Sequence, residues 1–456
     1  MSATTIPAGR PETDGPAPGR SQPWGRIASG SVAAGLIGAV AMVATLGAGA
    51  AESVVTGVLL FAFGLGWALL GLLSARFTDR PQGWTVVPAA AMAGTGVGLL
   101  VTTPDTTTMT ALGWVWPVPT LVLAVWTAVQ IGRHLPRRAR WILAPVVAVL
   151  ALATLAGTYE DVAAAHDREV HRAAPGTTYV VDGHRLHLDC RGQGGPTVVL
   201  ENGLGEVSAS WSRVVSQLGS TRVCAYDRAG QGWSDDAGDQ DGIAAAQDLH
   251  AALTAAGEQG PYVLVGHSIG GPYALVYASE YPDDVAGMVL LDSSSPEQFT
   301  VIPSYSGQYA VMHRVLAAQP TLSRLGLGRV TAAASPSHLP AAAADQVEAL
   351  TASARGAADF GAEWDGLPVL FDQAQSVTSL GDRPLVVLTA SESLDHIEGW
   401  AEAQRRLAAL SANRQERVVE SSHAGLLEDP HGAAETARAI ANTVDAIRSD
   451  TDLSSR

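Results

Sequence analysis

Hydrophobic and polar positions divide the chain into two parts with different periods. In residues 26–159 apolar side chains run almost unbroken through five stretches, at about 27–51, 54–73, 84–101, 112–131 and 141–159. Each approaches the ~20 residues that carry a helix across a bilayer. One such stretch could be a buried core helix; five in succession, with almost no internal charge, predict an all-α transmembrane bundle. No acidic or basic residue sits deep within a stretch, so nothing marks an ion or proton path. Trp84, Trp114, Trp116 and Trp141 fall near stretch ends, where indole rings favour the membrane interface. Gly30, Gly35, Gly38, Gly64 and Gly66 offer small surfaces for close helix approach. Residues 1–25 are rich in Pro, Gly, Ser and Thr, lack a period, and read as a disordered tail.

Beyond residue 159 the pattern changes. Glu160, Asp161, Asp167 and Arg168 predict a polar connector over 160–176, and His166 and His171, five apart, would not share a helix face to hold a metal. Short apolar runs then alternate with helix-period segments. Strands are predicted at 177–181, 185–189, 197–200, 222–226, 262–265, 286–291, 384–389 and 417–419, the first two joined by an Asp182-Gly183 hairpin turn. Helices are predicted at 211–218, 242–256, 270–281, 399–410 and 431–448. This alternation means an α/β fold, a mostly parallel sheet covered by helices on both faces, with an antiparallel hairpin at one edge. Between about 293 and 381 it fails and a helical cap is expected, with helices at 305–316, 340–353 and 371–380. The α/β domain spans 177–446, and 447–456 reads as a second tail.

Charge sharpens the division. Up to residue 159 there are nine arginines and five acidic residues; beyond it, nineteen arginines and thirty-nine acidic residues; the chain has no lysine and a net charge of −16. So acidic a domain is a poor partner for nucleic acid. The arginines also orient the bundle. Arg10, Arg20 and Arg26 precede the first stretch, Arg76 and Arg80 follow the second, and Arg133, Arg137, Arg138 and Arg140 follow the fourth. Loops after the first and third stretches carry Glu52 and Asp105 instead. The positive-inside tendency puts the N-terminus in the cytoplasm and the α/β domain outside a multi-pass cell-membrane anchor. Ala48-Gly49-Ala50 resembles a signal-peptidase site, but the apolar run before it is long for a cleaved signal, and an uncleaved anchor is expected.

The candidate chemistry lies at Gly266-His267-Ser268-Ile269-Gly270, where a buried strand runs through a G-x-S-x-G turn into a helix. Such an elbow exposes the Ser268 hydroxyl, a weak nucleophile until a base takes its proton. His423, just past the last strand, is the candidate base, and His267 is read as structural. With Asn202-Gly203, the run Asp227-Arg228-Ala229-Gly230-Gln231-Gly232-Trp233-Ser234, and Ser422-His423, the region 177–446 resembles the α/β-hydrolase superfamily, in its capped, esterase- and lipase-like group. The resemblance implies an eight-stranded sheet, Ser268 as nucleophile, His423 as base, and the Leu204 and Ile269 backbone N–H groups as oxyanion hole. Asn202 stands where many relatives carry His. The usual register for the triad acid falls on Ser393, flanked by Glu392 and Asp395. Some members place the acid at the end of the sixth strand, here Asp292, which is the residue assigned, with Glu392 and Asp395 as alternatives.

In this fold the second strand lies beside the fourth, which pairs Cys190 with Cys224 in a disulfide if the compartment is oxidising. The expected function is membrane-anchored serine hydrolysis of carboxylic esters through an acyl-enzyme, without metal or organic cofactor. The expected partners are a small-molecule or lipid ester substrate and the bilayer. Hydrolysis of thioester, amide or carbon–carbon bonds, a ligand sensor, and a non-catalytic membrane protein retaining the fold are the alternatives. A Ser nucleophile argues against dehalogenase and epoxide hydrolase chemistry, which relatives perform with Asp.

Overall fold

The computed structural model describes residues 23–170, 175–238, 240–335 and 337–453. Most of the expected N-terminal tail, His171 and the last three residues of the chain lie outside them. The N-terminal helices are α1 (Trp24–Leu46), α2 (Glu52–Phe77), α3 (Val86–Thr102), α4 (Thr106–Gly113), α5 (Pro117–His134) and α6 (Arg137–Val170). α1, α2, α6 and the stretch Gly83–Thr102 are long and apolar enough to cross a membrane, and α4 with α5 makes a fifth if the pair, bent by 57°, counts as one. The expected fourth stretch is therefore broken. Trp114, Val115 and Trp116 form a turn, and Pro117 restarts the helix at the first-turn position, where its missing N–H costs nothing.

Gly66 meets Gly35 and the Ser31 carbonyl of α1, Gly38 lies against Ala62 of α2, and Gly64 lies against Ala89 and Ala93 of α3, so four of the five predicted glycines sit where helices touch. Gly30 does not: nothing lies within 4 Å of where its Cβ would be. The predicted connector is also different. α6 continues as helix through Glu160, Asp161 and Asp167 to Val170, because its polar end is taken up by partners in the second half of the chain.

That second half is an eight-stranded sheet: β1 (Thr177–Val181), β2 (His184–Arg191), β3 (Gln193–Glu201), β4 (Thr221–Tyr226), β5 (Tyr262–His267), β6 (Val285–Leu291), β7 (Leu385–Ala390) and β8 (Arg414–Val419). The spatial order is β1-β2-β4-β3-β5-β6-β7-β8; β2 is antiparallel to β1 and β4, and the remaining pairs are parallel. Asp182 and Gly183 both take positive φ in the hairpin, as a two-residue turn of this hand requires. Alternate residues point to opposite faces. Val199, Leu264, Leu290 and Val387 join one buried cluster; Leu200, Val265, Val289 and Leu388 join the other.

The helices here are α7 (Ser212–Val215), α8 (Gly242–Ala255), α9 (Gly270–Glu280), α10 (Gln298–Val301), α11 (Tyr305–Leu316), α12 (Gln319–Ser323), α13 (Leu327–Ala334), α14 (Ala341–Thr351), α15 (Ala354–Ala374), α16 (Ser391–His396), α17 (Trp400–Ala408), α18 (Gly425–Glu428) and α19 (Pro430–Ser449). α10–α15 interrupt the sheet pattern after β6. α11 and α14 lie close to their predicted places. The helix expected at 371–380 lies instead over Ala354–Ala374, although Gly356, Gly361, Gly366 and Pro368 all weaken helix propensity there. Ser353 caps its first turn, and Leu367, Leu370 and Phe371 pack into the core, which overrides local preference. At the C-terminus α19 runs to Ser449 and Leu453 is buried, so residues 447–453 belong to the fold rather than to a tail.

The two halves meet through ion pairs. Arg324, just past α12, donates to Glu52 (2.8 Å), and Arg329 of α13 to both Glu160 and Asp167 (2.6 Å each). Thr321 and Thr56 share a hydrogen bond, and the Gly49 amide donates to the His313 carbonyl. Glu52, expected in an open loop, is buried by this contact.

Cys190 and Cys224 stand opposite each other on β2 and β4 and form a disulfide. They cluster with Glu258, but sulfurs bonded to each other are not metal ligands. Titration of thiols in the unfolded, unreduced protein should find none. Reduction should lower unfolding free energy by about 3–4 kcal/mol in the chain-entropy account, given a sequence separation of 34. Two titratable thiols in the unreduced protein would contradict the pairing.

Candidate active site

At the carboxyl end of β5 the chain turns sharply into α9, and Ser268 sits in the turn with φ +56°. A non-glycine residue there is strained, and the strain is held by surrounding bonds. The Ser268 amide donates to the Leu291 carbonyl (3.1 Å), and its own carbonyl accepts from the Ser294 amide (2.9 Å). Gly266 packs on Gly270 and Gly270 on the Glu201 carbonyl, leaving room for no Cβ at either. The G-x-S-x-G spacing is thus a steric requirement of the elbow.

Asp292 ends β6 one strand away, also at positive φ (+42°), and is fully buried. His423 Nδ1 lies 2.7 Å from its Oδ2. Ser393 Oγ donates to the same oxygen, while the Trp400 indole N–H (2.7 Å) and the Ala390 amide (3.2 Å) donate to Oδ1. Burial alone would raise this carboxyl's pKa. The bonds from His423, Ser393 and Trp400 outweigh it, and the net shift is downward. An ionised Asp292 only accepts, so His423 Nδ1 donates to it, and in the neutral imidazole the lone pair is on Nε2.

Glu392 accepts instead from the His423 backbone amide (3.2 Å). Ser393, in the usual acid position, hydrogen-bonds the acid from the neighbouring strand.

Ser268, His423, Leu204 and Ile269 line one open cavity of about 420 Å³, together with Tyr305, Trp364, Leu367, Ile397 and Trp400. Two larger cavities, about 630 and 690 Å³, lie where the halves of the chain meet and hold none of these four residues. Among the described residues no hydrogen bond joins Ser268 to His423; such contacts commonly tighten only once substrate is bound.

The turn after β3 is clamped around Leu204. The Gly203 amide donates to Glu206 (2.6 Å) and the Gly205 amide to Glu363 (3.2 Å). Arg228 holds the Asn202 and Gly203 carbonyls and pairs with Glu363. The Leu204 amide lies between two occupied neighbours, and among the described residues neither it nor the Ile269 amide meets an acceptor. A hydroxyl on a strained elbow, an imidazole oriented by a carboxylate and two amides free to bind an anion form a set able to support acyl transfer.

The family model described as "alpha/beta hydrolase fold" matches residues 196–430, about half of the sequence. The chain belongs to the α/β-hydrolase family. An uncharacterised Schizosaccharomyces pombe protein is 28% identical to this chain over 296 residues, 57% of the chain and 54% of the relative. Lipase LipV of Mycobacterium tuberculosis is 39% identical over 108 residues, 24% of the chain and 41% of LipV. The chain thus spans about half the length of these curated relatives. A protein provisionally assigned as a lipase from Acinetobacter baumannii shares the fold, with TM-score 0.51, 21% identity, and coverage of 63% of this chain and 97% of that one.

Sequence reasoning missed the groups that brace this site. Glu206 and Glu363 lack a local signature, and Arg228 was seen only as part of a run. His267, read as structural, bridges the two sides. Its Nδ1 lies 2.7 Å from Glu206, its Nε2 donates to the His423 carbonyl (3.1 Å), and its ring lies 4.5 Å from that of His423. Burial works against charge on both partners. Their mutual attraction and hydrogen bond prevail, raising the His267 pKa above the ordinary 6.5 and lowering that of Glu206 below 4.5.

The sign of the linkage follows. The His267 contribution to stability is full below pH 6.5 and is lost as pH rises through the raised value. The Glu206 contribution is full above pH 4.5 and is lost as pH falls through the lowered value. In thermal unfolding across pH 5–9, His267→Gln should therefore flatten the alkaline decline in midpoint relative to the unaltered protein. Parallel curves would show that the pair is not charged.

Proposed function

We propose that this protein is a membrane-anchored serine hydrolase of carboxylic esters. The observation that carries the reading is the 2.7 Å contact between His423 Nδ1 and the buried Asp292 carboxylate, which orients the imidazole in the cavity that Ser268 also lines. Ser268 Oγ attacks the ester carbonyl carbon and His423 Nε2 takes its proton. The oxygen gains negative charge and is stabilised by the Leu204 and Ile269 N–H groups, whose benefit is greatest where water is excluded. Collapse breaks the carbon–oxygen bond and the alcohol leaves with the proton from His423. Water then attacks the acyl-enzyme, giving its proton to His423, and the acid leaves as Ser268 is restored. No step calls for a metal or organic cofactor.

The apolar helices support an anchor in a bilayer, and the arginine-bearing loops favour a cytoplasmic N-terminus. The contacts of Gly49, Glu52 and Glu160 with α11–α13 agree with that topology, because all three then lie at the end of the bundle opposite the arginine-rich loops.

A fluorophosphonate probe should label the folded protein, and Ser268→Ala should abolish labelling. Asp292→Asn should lower ester turnover about 10⁴-fold, as expected when an imidazole loses its orienting carboxylate. Glu392→Gln and Asp395→Asn should stay near the unaltered rate. Full turnover in Asp292→Asn would reject the triad as drawn; no labelling of the folded protein would reject the enzyme.

A further inference from the structure

Helix α11 begins at Tyr305, which lines the cavity of Ser268, and passes His313, whose carbonyl accepts from Gly49 between α1 and α2. Those eight residues cover about 12 Å of helix. After a turn the chain continues into α12, where Thr321 bonds Thr56, one turn inside α2. On the open side of this path Val311, Val315 and Leu322 are exposed by 60%, 57% and 43%. The spacing of four between Val311 and Val315 puts both on one face of α11, beside the exposed Arg314.

A second observation fixes the level of that face. Arg324, two residues past Leu322, pairs with Glu52 and lies 3.8 Å from Asp161, and the Asp161 carboxylate packs directly on Gly113. Gly113 adjoins Trp114, which with Trp116 is exposed at the break between α4 and α5. Exposed indoles at the end of a spanning segment mark the headgroup level.

We propose that the α11–α12 face carrying Val311, Val315 and Leu322 is a second membrane contact, seated in the boundary between headgroups and acyl chains of the same bilayer that holds α1–α6. The inference rests on reading those helices as spans. It gives the apolar face a partner of matching chemistry, with Arg314 able to reach lipid phosphates. It also sets the catalytic cavity roughly one short helix from the lipid surface, a position suited to esters that partition into the membrane.

The full-length protein has no free thiol among the described residues, so Val315→Cys provides a single labelling site. Labelled with an environment-sensitive fluorophore in phosphatidylcholine and phosphatidylglycerol vesicles, it should emit to the blue of Val418→Cys on β8. It should also be quenched by lipids carrying a nitroxide near the headgroup. Emission matching the Val418→Cys control, in protein that resists carbonate extraction, overturns the contact and leaves the anchor standing. A blue shift without lipid quenching means protein covers the face, and also overturns it. Release of the protein by carbonate would overturn anchor and contact together.

Discussion

A carboxylate removed from water must be compensated, and Asp292 is compensated from four directions. β7 supplies the Ala390 amide, α16 the Ser393 hydroxyl, α17 the Trp400 indole and the loop after β8 the His423 imidazole. Each partner belongs to a segment that follows the cap in the sequence. The burial that makes the charge demanding also makes it an organiser, since an unmet acceptor there would cost several kcal/mol. The geometry of His423 is therefore a by-product of satisfying Asp292. Trp400 and Ser393 hold the carboxylate whether or not the imidazole is in place.

Local signals carried the elements of this site that depend on local sterics. The elbow at Ser268 needs glycine on both sides, and that need is written into five consecutive residues. The sheet was legible because buried parallel strands are short Val- and Leu-rich runs, and the hairpin because Asp182-Gly183 suits its turn. Asp292 required a choice among three carboxylates, which only the approach of β6 to the β8 loop decides. The brace formed by Arg228 and Glu363 was invisible, its partners standing 135 residues apart. The misplaced cap helix has the opposite cause: Gly356, Gly361, Gly366 and Pro368 argue locally against a helix that packing at Leu367, Leu370 and Phe371 stabilises.

The ion pairs of Arg324 and Arg329 change how the two halves should be regarded. A cap is often a free lid over a rigid core. Here its arginines are tied to Glu52, Glu160 and Asp167 on the N-terminal helices, and its α15 supplies Glu363 to the turn beside Leu204. The cap is held from both sides, so movement that widened the cavity would strain contacts with the bundle, with the turn at Leu204, or with both. Removing the helices would leave two arginines of the cap without their partners.

α6 is one helix of 34 residues, about 51 Å at 1.5 Å per residue, against a hydrocarbon core of about 30 Å. The surplus forms a post, with Glu160 and Asp167 seven residues apart, two turns along one side, where both reach Arg329. Such a post transmits angle as well as height. One residue inserted below Glu160 would turn that side by about 100° and raise it by about 1.5 Å, so that the arginine would face the wrong side of the helix. The length of α6 is thus fixed by phase, in steps of whole turns, which makes this stretch of sequence intolerant of single insertions although no residue in it takes part in the chemistry.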